Sequence, residues 1–351
     1  MVTIVTRVVQ NARGGLVGLL DALANLHAEG AIGVLGIIFA TAGSTYQKAG
    51  ALVLLDRTGM RHGAVSGGCL EPELEERARE VCETQIAATH EFDTRSDEDV
   101  IFGSGTGCRG RIHLLLLPQA PGAPLTRALT VLAQGRGSLE LSLVIDGSQA
   151  GCGHTALGVE RWSWGYDGSV ASHTLVESLL VGGPTVRLPV AAPPHVLLLG
   201  AGPETIPLIL FTERLGWQTT VVEHRGRWLR FASLAGARQI IELPPDEAVA
   251  RWSALRADAA IAMTHNYALD LQHLAFCARS DLSYIGLLGP AARRDALMKE
   301  LEPDDANRLN GRLHAPVGMV LGGSGPEVLA LSISAELQKH FATPRYATGE
   351  E

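Results

Sequence analysis

The run from His195 through Leu199 to Gly200, Ala201, Gly202 and Thr205 constrains the second half of the chain more than any other stretch. Four consecutive apolar residues, Val196 to Leu199, suit a strand buried on both faces. Two glycines follow at once, and then the helical spacing of residues 204–215. In a strand–glycine loop–helix unit, the first glycine permits the tight turn and the second lets a phosphate approach the backbone. Glu223 closes the next apolar run, near the spacing of about 20 residues at which an acid grips a ribose hydroxyl. Beyond it, strand patterns at 239–242, 259–264 and 284–288 alternate with helix patterns at 269–278, 291–301 and 327–340. Such alternation predicts a Rossmann-like, doubly wound parallel-sheet domain over 195–351, set off by the break Ala191-Ala192-Pro193-Pro194. Thr264, His265 and Asn266 follow one predicted strand, with Asp270 nearby. Gly289 and Pro290 follow another, ahead of Arg293 and Arg294. Ligands of open parallel sheets bind beyond the carboxyl ends of the strands, so these loops are expected to share a crevice. An arginine at a helix start, Arg293 or Arg294, is a candidate phosphate clamp.

Residues 1–190 read as a mixed α/β domain. Leu16, Leu19, Leu20, Leu23 and Leu26 repeat at helical spacing over 11–29, and Gly30 fits the position just past the end of that helix. A nearly continuous apolar run over 31–41 predicts a buried strand. A polar loop bounded by Gly43 and Gly50 follows it. Strand-like residues 51–55 turn at 57–59 and return through Ala64 and Val65 to Ser66, Gly67, Gly68 and Cys69. Leu70, Leu74, Ala78 and Val81 then form a helical stripe, with Pro72 in its first turn. Cys69 is thereby expected at a helix start, where free amides and the helix dipole favour an anion and a reactive thiolate. A second cysteine loop, Gly105, Thr106, Gly107, Cys108, Arg109 and Gly110, precedes a strand over 111–117. Residues 138–188 read as short strands separated by glycines, and the Trp162/Trp164 pair reads as packing.

Residue type alone leaves Cys69 and Cys108 open between a reactive thiol and a small buried hydrophobe. Cys82 and Cys277 lie in helix patterns and read as core filling. Cys152 suggests no function. Five widely spaced cysteines without a CxxC pair argue against a disulfide framework or zinc ribbon, and fit reduced thiols in a cytoplasm. With 351 residues, 46% hydrophobic and 19% charged, the chain is expected to be soluble and globular. A formal charge of -8 without a basic run disfavours a nucleic-acid partner. No apolar run reaches the roughly 20 residues that span a bilayer, so no membrane association is expected. The apolar start, 1–10, lacks the basic lead and cleavage site of a signal peptide. No GxSxG elbow, P-loop, HExxH or paired-cysteine metal site is present.

Taken together, these motifs resemble the XdhC/CoxI family, maturation factors of xanthine dehydrogenase and carbon monoxide dehydrogenase. The likeness rests on Gly43-Ser44-Thr45-Tyr46 with Lys48-Ala49-Gly50-Ala51, on Gly63 through Glu71, and on Gly105 through Gly110. In the second half it rests on Thr264-His265-Asn266 with Asp270, on Tyr284 through Gly289 with Arg294, and on Ala315-Pro316-Val317-Gly318 with Leu321-Gly322. Pro203 and Glu204 stand where the family usually has histidine and aspartate, and Glu223 where it usually has aspartate. Arg225 is kept. The resemblance implies a chaperone-like accessory factor rather than an enzyme. It would bind molybdenum cofactor (molybdopterin) as cargo, assist its sulfuration with a cysteine desulfurase, and pass it to an apo xanthine dehydrogenase-type hydroxylase. It also implies a homodimer. On this reading Ser66, Gly67, Gly68, Cys69, Gly107, Cys108 and Arg109 contact the cofactor, with Cys69 and Cys108 at the molybdenum and Cys69 the candidate for sulfur relay. Gly200, Gly202, Glu223, Arg225, His265 and Arg294 would hold the pterin phosphate or a nucleotide. The competing expectation is an NAD(P)-binding oxidoreductase using the Rossmann-like domain.

Overall fold

The structure, a computed structural model of the chain, describes residues 13–93, 110–235, 237, 239–242 and 257–342. Gly107, Cys108 and Arg109 lie outside the described residues. The chain divides into two compact units, Met1–Ala192 and Pro193–Glu351.

The first unit opens with helix α1 (Gly15–Ala28), then strands β1 (Gly33–Gly43), β2 (Leu52–Asp56) and β3 (Gly59–His62). Helix α2 (Glu71–Thr84), strands β4 (Ala88–Asp93) and β5 (Gly110–Gln119), and helix α3 (Pro124–Gln134) follow. The five strands form an antiparallel sheet in the order β3-β2-β1-β5-β4. The apolar run of β1 is continuous because both of its faces are covered. Leu35, Ile37 and Phe39 join a core with α1 and α3, while Val34 and Ile38 join another with Leu74, Ala78 and Val81 of α2.

A second antiparallel sheet, β8-β7-β6-β9, is built from β6 (Ser138–Val144), β7 (Gly153–Leu157), β8 (Glu160–Trp164) and β9 (Thr185–Ala191). The short strands expected over 138–188 are thus interrupted by a helix, α4 (His173–Gly182), that the glycine-rich pattern did not predict. Leu175, Val176, Leu179 and Leu180 of α4 recur at helical spacing, but only Val176 is buried, and Leu175 and Val181 are exposed. Trp162 and Trp164 do pack in the core.

The second unit contains one parallel sheet in the order β12-β11-β10-β13-β14-β15. Its strands are β10 (His195–Leu199), β11 (Gln218–Glu223), β12 (Gln239–Glu242), β13 (Ala259–Ala262), β14 (Tyr284–Leu287) and β15 (Leu313–His314). The helices are α5 (Thr205–Arg214), α6 (Gly226–Ala235), α7 (Tyr267–Ala278), α8 (Ala291–Glu300), α9 (Pro303–Leu309) and α10 (Pro326–Ala342). Leu208, Ile209, Ile333 and Leu337 bury one face of the sheet, and Leu274, Cys277, Leu297 and Leu309 bury the other. This is the Rossmann strand order, with the chain reversing direction of growth between β10 and β13. No helix among the described residues is long and apolar enough to cross a membrane.

Candidate functional site

In the first unit the chain path directs its singled-out loops toward one end of the antiparallel sheet. Strand β1 ends at Gly43, which pairs with Gly110 at the start of β5. Strand β4 ends at Asp93, opposite Arg111. His62, at the end of β3, pairs with Leu54 and points the chain to that same end. The start of the 44–51 loop and Gly110, two residues after Cys108 in the sequence, therefore meet there, whereas the 63–70 loop leaves β3 level with Leu35, eight residues short of Gly43. Gly110 is required: a Cβ on it would lie 2.4 Å from the Ser44 carbonyl oxygen. On the 44–51 loop Tyr46 is exposed, and the Lys48 ammonium lies 3.5 Å from Thr45 Oγ1.

The Cys69 loop is tied down by its own side chains. Ser66 Oγ accepts the amides of Gly68 and Leu70, each at 3.1 Å, and its hydroxyl donates to Glu71 Oε2. Glu71 Oε1 accepts the Ser66 amide at 2.9 Å. Burial opposes ionisation of Glu71, but these donors outweigh it and hold the carboxyl below its usual range. Gly68 has φ +117°, a value open to glycine, and the space beside Gly67 and Gly68 is empty. Helix α2 begins at Glu71, so Cys69 precedes its flanking residue Leu70 instead of opening the helix. Three amides of the loop, those of Ser66, Gly68 and Leu70, are thus taken by Ser66 Oγ and Glu71. Cys69 itself is exposed, which removes the buried-hydrophobe reading. Its counterparts behave differently. Cys152 and Cys277 are buried, Cys82 is half-buried against the core, and burial pushes all three thiols up, Cys277 to about 12.

In the second unit the loops at the carboxyl ends of β10, β11 and β13 converge at the switch point. Gly200 has φ +94°, and a Cβ there would lie 2.6 Å from Thr264 Cα. Glu223 is buried and accepts five donors: the amides of Ala201, His224 and Arg225, and Nε and Nη2 of Arg225 at 2.9 and 2.5 Å. Burial would raise its pKa, but these bonds hold it below the usual carboxylate range. Arg225 Nη2 also donates to the Ala201 carbonyl, so the guanidinium bridges the glycine loop and the end of β11.

His265 stands at φ +59°, unusual for a residue with a side chain, with its Nε2 3.4 Å from Glu204 Oε1. Asp270 is fully buried; Oδ1 accepts from the Thr264 hydroxyl at 2.6 Å, and Oδ2 takes Arg293 Nε and Nη2 at 3.2 and 2.6 Å. Arg293 thus braces the loop. Arg294, the other clamp candidate, donates to the Ala315 carbonyl and to Asp295, each at 2.8 Å. Sequence reasoning passed over Glu71 and Glu204 as functional groups. Both sit within five residues of a singled-out glycine, and that proximity was the available signal.

These features define a class: an antiparallel α/β unit presenting an exposed cysteine on a braced glycine loop, joined to a Rossmann unit. The profile of the XdhC and CoxI family matches residues 26–93, and that of the XdhC Rossmann domain matches residues 196–337. The chain belongs to the XdhC/CoxI family. It is 28% identical over 333 residues to a probable xanthine dehydrogenase subunit of Bacillus subtilis, covering 91% of this chain and 95% of that one. A crystal structure described as a xanthine dehydrogenase from Bacillus halodurans superposes with a TM-score of 0.77 at 27% identity. That match covers 94% of this chain and 97% of the other.

Proposed function

We propose that this protein is a maturation chaperone. It binds molybdenum cofactor as cargo, assists its sulfuration together with a cysteine desulfurase, and hands it to a xanthine dehydrogenase-type hydroxylase. The observation that carries the reading is the contrast among the four described cysteines, of which Cys69 alone is exposed, on a loop whose backbone is held by Ser66 and Glu71. A thiolate suits a soft metal centre in transit. A braced backbone keeps the sulfur in place without burying it. The names borne by the two Bacillus relatives support xanthine dehydrogenase as the client class.

The test is to purify the protein from a molybdenum-competent host, assay bound molybdopterin, and reconstitute a xanthine dehydrogenase-type apoenzyme. Wild-type protein is expected to retain the cofactor and activate the target, and Cys69→Ala to lose both. A Cys69→Ala protein that does both as well as wild type overturns the cysteine assignment. Saturable NADH binding without bound molybdopterin replaces the reading with the oxidoreductase one.

A further inference from the structure

We infer that the Gly200–Thr205 loop is a binding site for a ligand that donates N–H hydrogen bonds, with Glu204 as the acceptor and His265 as its cover. The loop has the shape of a dinucleotide-binding turn but not its chemistry. Such a turn needs free amides for the pyrophosphate. Here the Gly200 amide donates to the Val222 carbonyl, the Ala201 amide to Glu223 Oε2, and the Gly202 amide to Thr205 Oγ1, at 2.8, 2.9 and 2.8 Å. A ribose would need a free acceptor on Glu223. A carboxylate offers about four lone-pair positions, and this one already serves five donors.

Above the second glycine, where a pyrophosphate would lie, the chain places a carboxylate of its own. Glu204 is 4% exposed, and its Oε1 sits 2.5 Å from the position of a Cβ on Gly202. A phosphate entering there would meet like charge. That same Oε1 is buried and has no hydrogen-bond partner. His265 Nε2, at 3.4 Å, lies outside hydrogen-bond geometry. A buried acceptor without a donor is costly, so it is a group kept ready for one. His265 is 52% exposed and stands in the left-handed region, where a bulky residue is strained. Its ring can leave, and a flat ligand can take its place over the loop.

The ligand class follows from the acceptor. Among the described residues no group of three or more His, Cys, Asp or Glu side chains is arranged to hold a metal ion. A buried acceptor oxygen beside the His265 ring nitrogen fits the donor edge of a planar heterocycle with adjacent N–H and NH2 groups, the aminopyrimidinone class. This assignment rests on the cargo reading above, since the pterin head of such a cofactor presents that donor edge.

The experiment titrates the full chain, by fluorescence, with pterin (2-amino-4-oxopteridine) and with lumazine, which carries a carbonyl in place of the amino group. Pterin is expected to bind saturably, and lumazine about 10- to 100-fold more weakly, the range for losing a hydrogen bond to a buried charge. Neither NADH nor pyrophosphate is expected to displace pterin. Glu204→Gln, close in volume, is expected to erase the preference. His265→Gly, which adopts φ +59° without strain, is expected to tighten pterin binding and carries the test if Glu204→Gln fails to fold. Absence of pterin binding, equal affinity for the two pteridines, or displacement by NADH or pyrophosphate overturns the inference. The molybdopterin assay separates the two proposals: wild-type protein that retains molybdopterin yet shows no preference for pterin over lumazine overturns the Glu204 assignment alone.

Discussion

Replacing Ser66 by alanine tests how the exposed cysteine is held. The substitution removes one hydroxyl and leaves backbone and volume nearly unchanged. It strips the acceptor from the Gly68 and Leu70 amides and one donor from Glu71. Loss of a hydroxyl that caps a helix-start loop costs about 1 kcal/mol, and loss of a hydrogen bond to a carboxylate adds a similar amount after water re-enters a half-exposed site. The Ser66 amide still reaches Glu71 at 2.9 Å, so the loop is loosened and not dismantled. The expected total is about 2 kcal/mol, concentrated in the loop. Global unfolding is a poor assay, because the chain forms two compact units and a single transition is not assured. Amide hydrogen exchange reads the loop directly. Protection of Gly68 and Leu70 is expected to fall about 30-fold, the equivalent of 2 kcal/mol, with the strands of the second unit unchanged. A fall of less than about threefold at both amides would refute the bracing and with it the account of why Cys69 stays in place.

Two further substitutions address the second unit. Burial pushes His273 from its ordinary 6.5 down to about 4, so between those values the unfolded chain binds a proton that the folded chain refuses. The associated stability is complete above pH 6.5 and is lost as pH falls toward 4, by about 3 kcal/mol at 1.36 kcal/mol per unit. Urea titrations across that window, read by hydrogen exchange at amides of the second unit, should show a shallower pH dependence for His273→Gln than for wild type, and parallel curves would refute the assignment. Asp270→Asn leaves the Arg293 guanidinium, 22% exposed, without its carboxylate, and is expected to destabilise the unit by about 3 kcal/mol in the same assay. A loss below about 1 kcal/mol would show that the pair does not brace the loop.

The limits of sequence reading fall at particular residues. Most of the parallel sheet was legible because its longer strands are short apolar runs and most of its helices periodic ones, signals carried within a dozen residues, whereas β15, of two residues, and helices α6 and α9 went unread. Helix α4 was not legible, because a ten-residue apolar segment among glycine-bounded strands also reads as a short buried strand, even with Leu175, Val176, Leu179 and Leu180 at helical spacing. Arg293 and Arg294 looked like phosphate clamps because each stands at a helix start. Their partners, Asp270 and the Ala315 carbonyl, lie 23 and 21 residues away, and no local pattern connects them.

What the sequence determined by itself was the order and type of most elements, the glycines that need positive φ, and the family, because these depend on neighbours along the chain. What only the tertiary structure decided was the state of the functional groups. Residue type could not say whether Cys69 was buried or exposed, and the fold exposes it. The glycine loop after β10 carried the signature of a phosphate turn, yet Glu223, Thr205 and Arg225 consume its polar groups and Glu204 fills its mouth. Hydrogen-bond capacity is finite. Which donor meets which acceptor is settled only when segments distant in sequence are packed together.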